Sequence, residues 1–155
     1  MKKSLYPSFV IAPILILFFF AQCKKEYTPS VPLTITLYNK PLSTIQSYIK
    51  GLWKLHYGKG GIAANNIQYY DSVFFKFTND NKIILSYKNT IGVDTTIKWV
   101  KDLGTYTHGD STFTMNFYDK LGYPSNYIVD GIFNDTLVLH DYGSDAVFYH
   151  FTKSN

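Results

Sequence analysis

Residues 73–87 read Val73-Phe74-Phe75-Lys76-Phe77-Thr78-Asn79-Asp80-Asn81-Lys82-Ile83-Ile84-Leu85-Ser86-Tyr87. Val73, Phe75 and Phe77 alternate with Phe74, Lys76 and Thr78. After Asn79-Asp80-Asn81, Ile83, Leu85 and Tyr87 alternate with Ile84, Ser86 and Lys88. A period of two places one set of side chains on each face of an extended chain, and three turn-forming residues in between reverse its direction. The stretch therefore predicts an antiparallel hairpin with one large apolar face.

The same period runs outward in both directions. Upstream, Trp53, Leu55 and Tyr57 alternate with Leu52, Lys54 and His56. Downstream, Val93, Thr95, Ile97 and Trp99 oppose Asp94, Thr96 and Lys98. Phe113, Met115 and Phe117 follow a Gly109-Asp110-Ser111 turn, and residues 104–108 are a weaker strand candidate. Segments 127–133, 136–142 and 147–152 complete the series, divided by Asn134-Asp135 and Gly143-Ser144-Asp145. Residues 58–66, rich in glycine, read as a long flexible loop. About eight or nine short strands joined by hairpin turns must dispose of their edges, and closure does so. The expected fold is all-β, an antiparallel up-and-down barrel, with each strand giving it one inward face.

Ahead of the strands, Leu42, Ile45 and Ile49 lie on one helical stripe within residues 41–51. A short helix is expected there, capped by Ser43 or Thr44 and stopped by Gly51. Residues 24–41 carry Pro29, Pro32 and Pro41 and read as a tether. Leu33, Ile35 and Leu37 leave open a short strand that docks on the body.

The first residues are of another kind. Lys2 and Lys3 precede an apolar run, residues 9–21 (FVIAPILILFFFA), and then Gln22 and Cys23, the only cysteine of the chain. These are the dimensions of an export signal. A bilayer span needs about 20 apolar residues, and Pro13 interrupts this run. The expected organisation is a signal over 1–22, an anchor and tether over 23–41, and the barrel over 42–155. Without its signal the chain keeps 133 residues, the length of one domain.

Composition narrows the function. All 15 basic residues are lysine, and losing Lys2 and Lys3 leaves 13 against 11 acidic residues, a net charge near +2. Without arginine, the usual bidentate reader of phosphate and guanine, nucleic acid is not an expected partner. There is no G-x-S-x-G, no cysteine nucleophile in the body and no phosphate-binding glycine loop, and the aspartates sit mostly in turns; no catalytic residues and no cofactor are expected. His56, His108, His140 and His150 share no close-spaced ligand motif, so no metal is expected. His56 and His150 lie on outward parities; if the barrel closes, His56, His140 and His150 become neighbours on its outside.

Two resemblances give these segments a context. Ala21, Gln22 and Cys23 at the end of the signal resemble the lipobox of bacterial lipoproteins, in which the cysteine becomes the lipidated first residue. Residues 49–55, Ile49-Lys50-Gly51-Leu52-Trp53-Lys54-Leu55, resemble the G-x-W motif that opens the barrel in lipocalins and the wider calycin group. Residues 135–141 and 148–153 are similar to the last hairpin of bacterial lipocalin-like lipoproteins. The likeness implies that Trp53, with Gly51, packs across the closed bottom of the barrel. Where many lipocalins lay an arginine over that tryptophan, Lys153 is the nearest substitute. Lys24-Lys25-Glu26 lacks the aspartate that resembles an inner-membrane retention signal, which implies the outer membrane of a Gram-negative envelope, facing the periplasm or the surface.

On parity, Phe75, Tyr87, Trp99, Phe117, Tyr127 and Tyr149 are expected to line the interior, although Ile128 and Ile132 compete with Tyr127 for the inward side. Three inward tyrosines are more polar handles than a purely structural core requires, because a buried hydroxyl needs a partner. One expectation is a membrane-anchored protein that binds a small hydrophobic or amphipathic ligand inside the barrel. The other is a side-chain-filled barrel serving as an interaction module for an envelope protein or a glycan, through Phe74, Tyr106, Tyr118, Tyr142 and Phe148.

Overall fold

The computed structural model describes residues 31–62, 66–103, 111–143 and 145–154, without the side chains of residues 102 and 103. The signal, Cys23, the start of the tether, the strand candidate at 104–108, Tyr106 and His108 lie outside the described residues. The folded unit begins at Pro32. Its elements are β1 (Ile35–Thr36), α1 (Leu42–Ile49), β2 (Gly51–Gly60), β3 (Ile67–Phe77), β4 (Lys82–Tyr87), β5 (Thr90–Thr96), β6 (Lys98–Leu103), β7 (Ser111–Tyr118), β8 (Pro124–Phe133), β9 (Thr136–Asp141) and β10 (Val147–Ser154).

Every strand pair is antiparallel, and the hydrogen-bonded path runs β5-β4-β3-β2-β10-β9-β8-β7-β6. Its two ends are consecutive in the chain, joined through Ile97. Alternation continues through the joint, with Val93 and Ile97 buried and Lys98 exposed. The strand read across residues 93–99 is thus one strand bent at Ile97, pairing with β4 before the bend and β7 after it. The result is a nearly closed up-and-down barrel. Tight turns set the register: Lys88-Asn89 and Asn134-Asp135 all have positive φ, as two-residue hairpin loops require.

Register shifts between β2 and β3 and between β8 and β9 re-aim the strands. In β2 and β3, Leu55 faces Val73 but Tyr57 faces Tyr69, so one residue on β2 answers three on β3, where Ser72 has φ +59°. This kink hides the first half of β3 from a period-two reading. It also shortens the expected 58–66 loop, since β2 runs on to Gly60. In β8, a bulge between Val129 and Gly131 shifts parity by one. Tyr127 and Val129 face inward before the bulge, and Ile132 faces inward after it; Ile128 is buried on the other face. Gly131 is required there because β1 docks alongside: a Cβ would run into the Ile35 carbonyl oxygen.

The segment docking as β1 belongs to the body and not to a free tether, with Leu37 wholly buried. In α1, Ile45 and Ile49 are buried, but Pro41 occupies the N-cap and neither Ser43 nor Thr44 caps it through a side chain. Proline there supplies the extended entry without a capping oxygen.

The core at the α1 end is filled, although a groove of ≈ 340 Å³ runs between α1 and the β3–β4 turn. Trp53 is 2% exposed and its indole N–H donates to the Ile49 carbonyl. Lys153 Nζ stands 5.6 Å from the Trp53 ring centroid, the place expected of it. The core then rises through Phe77, Phe75 and Phe151, with Phe75–Phe151 centroids 4.9 Å apart.

Candidate functional site at the barrel mouth

At the end away from α1, the inner wall changes from apolar to mixed. Asp141 closes β9 on the parity of Leu137 and Leu139, directly opposite Tyr127 on β8. Tyr149 on β10 faces Leu139 and donates its hydroxyl to Asp141 Oδ2 at 3.1 Å. Tyr70, just before the β3 kink, packs partly buried against the same core. Tyr127 is the centre of the ring contacts: its centroid is 5.9 Å from Phe117, stacked, and 6.1 Å and 5.7 Å from Phe75 and Tyr149, both edge-on.

The electrostatics follow from placing a carboxylate among rings. Burial holds the Asp141 carboxyl above the usual carboxylate range, opposed by the Tyr149 hydrogen bond and by His140. Burial and then the Asp141 charge push Tyr127 up to about 12 and raise Tyr149 and Tyr70 as well. All three phenols therefore stay protonated donors across the physiological range. None of the three ion pairs among the described residues involves Asp141.

Of the six side chains expected to line the interior, Phe75, Phe117, Tyr127 and Tyr149 meet here or just below. Trp99 faces inward opposite Met115 but sits at the other end, its indole N–H donating to Asn81. Tyr87 departs from the expected wall. It occupies the last residue of β4 and stands at the rim, 53% exposed, with Lys88 Nζ 5.1 Å from its ring centroid. Tyr70, not foreseen because the β3 kink breaks the period, joins the group at the mouth. Asp141 lies within the strand read across residues 136–142, and its alternation with His140 puts it on the parity of Leu139, but the sequence assigns it no role.

The histidines divide. His56 is hydrogen-bonded to Thr152 on the outside, and His150 stacks on Tyr57 at 4.3 Å. His140 differs from a solvated surface histidine: it is buried, with Nδ1 2.9 Å from Asp130 Oδ1. Among the described residues, no three side chains of metal-ligating type cluster.

A concavity lies at the seam where the bent strand meets β7. This groove of ≈ 460 Å³ is lined by Thr95, Thr96, Lys98, Asn116, Tyr118 and Asn126, among others. Nearby, Lys120 Nζ donates to the Ile91 carbonyl at 2.6 Å, stitching the β7–β8 turn to β5. Tyr118 is exposed and Tyr142 half-buried beside the groove; Phe148 is exposed next to His140, and Phe74 is half-buried.

The chain matches no family model, no curated protein and no solved structure, so the site rests on its own geometry.

Proposed function

We propose that this protein is a membrane-anchored, lipocalin-like lipoprotein that binds a small amphipathic ligand at the barrel mouth. The observation that carries the reading is the polarity of the interior. One end is closed by α1, Trp53 and Lys153; the other presents aromatic rings with a carboxylate and three phenols among them. Ligand sites combine apolar walls with a few placed polar groups in this way. Because Phe75, Phe151 and Leu139 fill the middle of the barrel, the ligand sits shallowly instead of threading the core. Cys23, lipidated after removal of residues 1–22, holds the body at the outer membrane through the segment before Pro32. Two or more acyl chains at about 0.8 kcal/mol per buried methylene make that attachment stable. No catalytic step belongs to this reading.

The test is uptake of environment-sensitive fluorescent lipid probes by the purified protein. Saturable binding that Tyr127→Ala weakens, with Tyr127→Phe closer to wild type, is the expected result. Absence of uptake overturns the reading. The seam groove favours a second reading, in which Tyr118 and the threonines and asparagines beside it contact a glycan or protein of the envelope. Binding lost on Tyr118→Ala and kept in Tyr127→Ala would select it.

A further inference from the structure

We propose that the mouth selects a cationic head group: Asp141, ringed by Tyr70, Tyr127 and Tyr149, receives the ammonium of a small organic amine. This rests on the ligand-binding reading and names its ligand class. Asp141 is the one acidic residue whose register falls on the inner face of a strand among the described residues. It is half-buried, its hydrogen-bond partners are the neutral Tyr149 hydroxyl and the Val147 backbone, and no lysine among the described residues pairs with it. The two lysines on inner parities, Lys101 and Lys153, lie toward the α1 end, over Phe113 and Trp53. A carboxylate withdrawn from water ordinarily has a cationic partner, and this one has the Tyr149 phenol and the Val147 backbone but no cation among the described residues.

The surroundings fit the same charge. Ring faces attract cations through their quadrupoles, best where water is partly excluded, and several rings about one point form an aromatic cage. Tyr127, Phe117 and Tyr149 supply adjoining rings within 6 Å of one another, centroid to centroid along the chain of contacts. An anionic head would face both the Asp141 charge and the negative ring faces. The filled core beneath Tyr127 limits the apolar part to a short segment or a single ring.

Three probes with one apolar group separate the possibilities: benzyltrimethylammonium, benzyl alcohol and phenylmethanesulfonate, titrated into the lipid-free mature chain by NMR or calorimetry. The cation is expected to bind about tenfold tighter than the alcohol, and the sulfonate weaker than either. Asp141→Asn should remove that preference, with thermal unfolding confirming its fold, and Asp94→Asn on the outer face should keep it. Equal binding of cation and alcohol at the mouth, or a preference unchanged in Asp141→Asn, overturns the cationic assignment and leaves the ligand-binding reading standing. Loss of all binding, including that of the lipid probes, removes both.

Discussion

The Trp99 indole N–H donates to Asn81 Oδ1 at 2.7 Å, and the same amide oxygen accepts from Gln46 of α1 at 3.1 Å. Asn81 Nδ2 donates to the Ile97 carbonyl at 2.8 Å, and the Ile97 N–H returns a bond to the Asn81 carbonyl at 2.9 Å. One turn residue thus ties the helix, the β3–β4 hairpin and the bend that lets a single strand serve both ends of the sheet. Its φ of +62° is a conformation asparagine tolerates better than most side chains.

Asn81→Ala should therefore destabilise the barrel by about 2–4 kcal/mol, from unpaired part-buried groups at about 1–3 kcal/mol and left-handed strain at about 1 kcal/mol. Asn81→Gly relieves the strain alone and should recover only that smaller part. Chemical denaturation of the two variants checks the division; equal stability of Asn81→Ala and wild type would remove Asn81 from this role.

Gly131→Ala tests the docking of β1. The added methyl meets the Ile35 carbonyl oxygen and the Phe133 ring, and the Ile35 backbone cannot swing aside as a side chain would. A loss of about 1–3 kcal/mol is expected, the usual range for overpacking. Hydrogen exchange should show faster exchange at Leu37 and Tyr38, whose N–H groups bond to the Asp130 carbonyl.

Much of this architecture was legible from alternation alone. The hairpin of residues 73–87 appears as β3–β4 with the expected inward set except Tyr87, and Val93, Ile97 and Trp99 share a face. What alternation does not carry is the bend at Ile97, because parity passes through it unchanged. It also misses the start of β3, and one period cannot put both Tyr127 and Ile132 inside, since a kink and a bulge each reset it. The site was half legible for the same reason: Tyr127 and Tyr149 sit in regular register, whereas Tyr70 lies beside the kink. Asp141 shows that the inner face of a strand extends to its last residue, where a carboxylate resembles turn chemistry.

Asp141 makes stability depend on pH in a defined direction. Its carboxyl is raised in the folded state, so between the unfolded and folded values the native protein binds more protons than the unfolded one. This contribution is most favourable below the ordinary carboxylate range and is lost as pH rises through the raised value. Asp141→Asn should be more stable relative to wild type at neutral pH than at pH 3, where the difference narrows. Thermal melts across that window check the sign; a widening gap at low pH contradicts it.

Membrane attachment is a separate matter from the barrel. Cys23→Ala should move the protein from the membrane to the soluble fraction while leaving its unfolding transition unchanged. Unchanged membrane association would assign the attachment to something other than the thiol.

The central claim is that the aromatic mouth holds a ligand, and native mass spectrometry of protein purified from its own membranes tests it most directly. The account predicts an adduct of one small molecule that is reduced in Tyr127→Ala and Asp141→Asn. A clean mass for the chain alone, with no uptake of lipid probes afterwards, would contradict it.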